Sequence, residues 1–127
     1  MATRKNAPAA AEFDDWSDER EAEVLESIAE QTRVKHVITA EKQFYGRFVD
    51  GEIIGPIPLK LSLATLEALD EAGEAPVDQM STLFTLLGME TEAESVRERD
   101  LAEVMSLAEK YFGALNKLTN VVVGSGK

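Results

Sequence analysis

The sequence predicts a mainly α protein with one β-hairpin, in which a small helical domain carries a two-stranded ribbon. Three observations lead there. Leu101, Val104, Met105, Ala108, Tyr111, Phe112, Leu115 and Leu118 recur at i, i+3, i+4, i+7, the spacing of one helix face. Asp50-Gly51 separates two runs rich in Phe, Tyr, Val and Ile, which is the signature of a tight hairpin. With 127 residues, 44% hydrophobic and 29% charged, the chain can bury one core but not two.

The elements follow in chain order. Residues 1–12 are small, Ala- and Pro-rich and aperiodic, and are expected to form a disordered arm. A single domain over 13–120 and a flexible tail over 121–127 complete the expected organisation. Ser17 can cap a first helix over 18–32, whose acidic first turn suits the helix dipole. Its apolar positions, Val24, Leu25, Ile28 and Ala29, make only a narrow stripe. The hairpin lies at about 43–60. A two-residue turn at Asp50-Gly51 pairs Phe44 with Ile57, Gly46 with Gly55 and Phe48 with Ile53, all on one greasy face. Pro56 and Pro58 lack N–H donors and place the second strand at an edge.

Ser62 then reads as a cap, with Leu61 and Leu66 as a hydrophobic staple, and Gly73 as the stop. Pro76 starts a helix whose Val77, Met80, Leu83, Phe84 and Leu87 share a face, and Gly88 ends it. Thr91 with Glu94 forms the pattern of a capping box for a short polar helix. Asp100 with Glu103 forms a second such pattern and opens the longest helix.

Composition excludes much chemistry. No cysteine means no disulfide and no thiolate site, and His36 is the only histidine. No His-x-x-x-His, Glu-x-x-His or EF-hand spacing is present, so no metal, no cofactor and no catalytic residue is predicted. The Gly-Ser-Gly-Lys end lacks the first glycine and the Ser/Thr of a phosphate loop. A net charge of −11 disfavours nucleic acid and anionic lipid, and no apolar run reaches the ~20 residues of a membrane span. The charge is also segregated. Glu12 to Glu30 holds nine acids and one base, whereas Arg33 to Lys60 holds five bases and three acids.

Helices and a ribbon in so short a chain leave more than one apolar face to be covered by self-association or by a client. The candidate partner-binding residues are Leu83, Phe84, Leu87, Val104, Met105, Ala108, Tyr111, Phe112 and Leu115. An acidic mimic of nucleic acid that inhibits another protein is the alternative, though its carboxylates should form an ordered double row. A small carboxylate-dependent hydrolase is the third reading.

From Phe44 to about Leu118 the order of features resembles the tail assembly chaperones of long-tailed, siphovirus-type bacteriophages. The resemblance rests on Phe-Tyr-Gly-Arg-Phe-Val-Asp-Gly-Glu-Ile-Ile, on Ile57-Pro58-Leu59-Lys60 before a helix, and on Val77-Asp78-Gln79 with Leu83-Phe84-Thr85-Leu86-Leu87. It continues in the acid-capped helix Asp100-Leu101-Ala102-Glu103-Val104-Met105, through Glu109-Lys110-Tyr111-Phe112. It implies a non-enzymatic protein of the host cytoplasm that is absent from the mature virion. The implied partners are the tape measure protein, a longer form of the same chain made by programmed frameshifting, and, through that form, the tail tube protein. Ser125-Gly126-Lys127 is compatible with a slippery codon run.

Overall fold

The structure, a computed structural model, describes residues 8–124. The elements are α1 (Ala10–Asp14), α2 (Asp18–Thr32), β1 (Lys35–Ile38), β2 (Gln43–Arg47), β3 (Ile53–Pro58), α3 (Leu63–Glu71), α4 (Pro76–Leu86), α5 (Glu90–Arg97) and α6 (Leu101–Gly124). The fold is mainly helical α+β, as predicted. The stretch 13–120, expected to form one domain, is divided: two compact units meet in sequence between Gln31 and Thr32.

The first unit holds α1 and α2. Ala10–Asp14 is helical where the sequence predicts a disordered arm over 1–12, and residues 1–7 of that arm lie outside the described ones. Glu12 stabilises this turn locally, because its carboxylate accepts from the Ala9 N–H at 2.8 Å. α2 has the predicted bounds. Ser17 Oγ accepts from the Arg20 N–H at 3.2 Å, and Asp18, Glu19 and Glu21 fill the first turn. Neither helix has a buried residue, and Val24, Leu25 and Ile28 are exposed.

The second unit is built on an antiparallel sheet of order β1-β2-β3. The predicted hairpin is β2–β3, and β1 adds a third strand with Lys35 opposite Arg47 and Ile38 opposite Phe44. Lys35-His36-Val37-Ile38 is too short and too mixed to show a period of two.

The hairpin register is a correction. Phe44 faces Ile57 as expected, but Gly46 faces Ile54 and Arg47 faces Ile53. The turn has three residues, because the Gly51 N–H donates to Phe48 O and the Phe48 N–H donates to Glu52 O, each at 2.9 Å. A type I′ turn needs positive φ at both central residues, whereas here only Gly51 has it, at 99°. A bulge at Gly55 restores the outer register. As a result Ile54 is buried, whereas Ile53, predicted for the inner face, is 63% exposed.

The helices mostly start where their caps predict. Ser62 Oγ accepts from the Thr65 N–H at 3.1 Å, and Pro76 is the first residue of α4. α5 differs, beginning at Glu90 after Met89 with no side-chain cap, so the Thr91–Glu94 box does not form. Before α6, Asp100 Oδ1 accepts from the Ala102 N–H at 3.1 Å, while Glu103 turns to Arg99 instead of closing a box. The predicted tail is corrected over its first residues. α6 runs on through Val121, Val122 and Val123 to Gly124, since valine costs a helix only a few tenths of a kcal/mol (roughly) and no breaker intervenes. Residues 125–127 lie outside the described ones.

The core of this unit joins one sheet face to the helices. Phe44, Phe48, Ile54 and Ile57 meet Met80, Leu83 and Phe84 of α4, and Val104, Leu107, Ala108, Tyr111 and Ala114 of α6. At its centre Phe44 and Tyr111 pack edge to face with ring centroids 5.3 Å apart. Tyr111 also donates its hydroxyl to Pro58 O at 2.6 Å, tying α6 to the end of β3.

Candidate functional site

Beside this core lies an apolar groove of about 550 Å³. One wall is the second half of α6, with Phe112, Leu115, Leu118, Val122 and Val123. The other comprises Leu59 and Leu61 after β3, Leu66 of α3 and Gln79 of α4. Local chemistry fixes each wall. Tyr111 anchors α6 from the core side, which turns Phe112 and Leu115 toward the groove, and the Phe112 ring packs edge-on against Tyr111 at 5.1 Å. The Ser62 cap starts α3 so that Leu61 and Leu66, the predicted staple pair, border the same space. Gln79 stays polar but satisfied, donating to Gly73 O at 2.9 Å. Such a trough, lined mainly by leucine, valine and one phenylalanine with Gln79, Asn116 and Thr119 among them, matches the apolar stripe of an amphipathic helix.

The structure sorts the nine candidate partner-binding residues. Leu83, Phe84, Val104, Ala108 and Tyr111 are buried in the chain's own core and offer nothing to a partner. Phe112 and Leu115 line the groove. Leu87 is half-buried against the core. Met105 is 51% exposed, with Leu101 also exposed one turn earlier on α6. Sequence reasoning missed Leu59, Leu61, Leu66, Leu118, Val122 and Val123. Two signals bore on them: the Leu61–Leu66 staple, and the absence of a helix breaker between Asn120 and Gly124.

A second cluster locks the hairpin tip. Arg99, just after α5, bonds Asp50 at 2.7 Å and Glu103 at 2.6 Å, pairs with Glu52 as well, and lies 3.9 Å over the Phe48 ring. Burial alone would lower the Arg99 pKa, but hydrogen bonds to Glu52, Asp50 and Glu103 outweigh it and raise it. The Glu52 backbone N–H and then Arg99 hold the Asp50 carboxyl below its ordinary 3.8. The cluster is structural: one guanidinium ties two carboxylates of the hairpin tip to Glu103 of α6, with Arg99 Nε buried and left without a hydrogen-bond partner. Replacing Arg99 with Met should cost about 1 kcal/mol, toward the low end for a paired charge because Asp50 and Glu52 face solvent. Urea unfolding measures it. The depressed Asp50 pKa also sets a sign: its stabilisation is complete above 3.8 and is lost as pH falls through the lower folded value. Asp50→Asn should therefore flatten the acid limb of a melting-temperature profile while leaving the neutral region nearly parallel to wild type.

His36 stacks on Phe44 at 5.3 Å. Burial, followed by the charges of Lys110 and Lys117, lowers its pKa. Among the described residues no group of three or more His, Asp or Glu is placed to hold a metal ion, and no helix is long and apolar enough to cross a membrane. No protein-family model matches the chain, and no curated protein or solved structure is significantly similar to it.

Proposed function

We propose that this protein is a tail assembly chaperone of a long-tailed bacteriophage, a non-enzymatic binder that keeps the helical tape measure protein soluble until the tube forms around it. The observation carrying this reading is the apolar groove along α6, open to solvent and walled by Phe112, Leu115, Leu118 and Leu61. A long helical chain exposes an apolar seam until it is enclosed, and such seams aggregate. A groove that takes a few turns of helix covers the seam piecemeal, many copies per client. The net charge of −11 keeps the loaded complex apart from its neighbours by repulsion. Binding at one groove should be on the order of micromolar, so that the client can be surrendered to the tube. A longer, frameshifted form of the chain would carry the same groove and bring tail tube protein to the client.

Co-expression tests the reading. A tape measure protein encoded beside this chain should be soluble with wild type and largely insoluble with Leu115→Asp or Phe112→Asp. Both positions are half-buried, so circular dichroism must show that the variants remain folded. Should the folded variants solubilise the client as well as wild type does, the groove is not the site. The same assay with Met105→Asp, away from the groove, should show no loss.

A further inference from the structure

The outer face of the sheet is the surface that the groove reading does not use. Register places Lys35, Val37, Tyr45, Arg47 and Ile53 on it, opposite to the face that covers the core. Val37 and Ile53 are 62% and 63% exposed, and these residues border a shallow depression of about 350 Å³. An open sheet face that exposes a valine and an isoleucine side by side with cations can take a second layer of matching pattern. Two cations, Lys35 and Arg47, sit across from each other on it.

The chain itself carries a complement. α2 exposes Val24 and Leu25 on one face, and Asp18 and Glu21 extend that line toward its N-terminus at helical spacing. It belongs to the stretch with nine acids and one base. We infer that two copies of this chain form a reciprocal dimer, in which α2 of each copy lies on the outer sheet face of the other. Apolar Val24 and Leu25 then cover Val37 and Ile53, and Asp18 and Glu21 approach Lys35 and Arg47. One donor helix and one acceptor face per copy close the assembly at two, with the same contact made twice. The charge segregation along the chain is thus the interface code, and it favours a second copy over a basic or neutral partner.

The test is sedimentation equilibrium of the full chain with a charge-swap pair. Wild type should be dimeric in the micromolar range at low salt and dissociate at least tenfold more readily at roughly 0.5 M salt, where screening is strong. Lys35→Glu with Arg47→Glu should be monomeric, and so should Asp18→Lys with Glu21→Lys, each with an unchanged circular dichroism spectrum. Mixing the two variants should restore a dimer, because each acidic surface then meets a basic one. The inference is overturned if wild type stays monomeric, which would leave the face to a foreign acidic partner or to the same chain's α2. It is equally overturned if the variants dimerise as wild type does, or if mixing restores nothing. None of these readouts involves a tape measure protein, so the inference and the chaperone reading stand or fall separately.

Discussion

Replacing Tyr111 with Ala should lower stability by about 3–5 kcal/mol, the range for truncating a fully buried aromatic residue. The ring packs against Phe44 and Phe112, and its hydroxyl ties α6 to Pro58 at the end of β3. Removing it opens a cavity and also releases one wall of the groove. In a unit of about a hundred residues each kcal/mol moves the midpoint by about 4–8 °C, so a thermal melt should fall by at least ~12 °C. Tyr111→Phe separates the two contributions: the core stays filled and the loss should be about 1 kcal/mol, the net worth of one hydrogen bond. It also carries a pH signature. Burial pushes the Tyr111 hydroxyl up from its ordinary 10.0, so the wild-type advantage is whole below that value and declines as pH rises above it. Tyr111→Phe should not show that alkaline decline.

Gly55→Ala should cost about 2–4 kcal/mol, combining backbone strain with a steric clash. Gly55 sits at φ 134°, where side chains are disfavoured, and a Cβ there would lie 2.7 Å from Phe44 O and 3.2 Å from the Tyr45 Cα. Those neighbours are backbone and cannot swing aside. The bulge must open or the strand must slide, and a slide of one residue takes Ile54 out of the core and sends the half-exposed face inward. Urea unfolding gives the magnitude. Cross-strand nuclear Overhauser contacts between Gly46 and residue 54 report whether the register moved. A stability loss below ~0.5 kcal/mol with those contacts intact would show that the bulge is not needed.

The fold class and most helix bounds were legible because caps and stops are local chemistry. Ser17, Ser62 and Asp100 each accept from a backbone N–H two or three residues on, and Pro76 presets its own φ for the first helical position. The hairpin was legible as an element but not in register, because Asp-Gly is compatible with two turn geometries. Choosing between them depends on the Gly55 bulge and on which isoleucine the core accepts. Strand β1 left no periodic trace, since it exists only by pairing with β2. The candidate residues were harder still. A stripe at helical spacing identifies a face of α6 that wants covering, without saying what covers it. Leu83, Phe84, Val104, Ala108 and Tyr111 are claimed by the chain's own sheet and helices, Leu101 and Met105 stay exposed elsewhere, and only Phe112, Leu115 and Leu118 of the stripe turn toward the groove. Leu107, three residues after Val104 and four before Tyr111, is fully buried at the edge of the same face, although the stripe read from the sequence does not include it.

The central claim is that the groove along α6 receives an apolar helical segment. Amide chemical-shift mapping tests it most directly, with isotope-labelled full-length chain titrated with an amphipathic helical peptide cut from a tape measure protein. Saturable shifts clustered at Leu61, Leu66, Phe112, Leu115 and Leu118, abolished by Leu115→Asp, are the predicted result. Shifts confined to other surfaces, or none up to millimolar peptide, would contradict it.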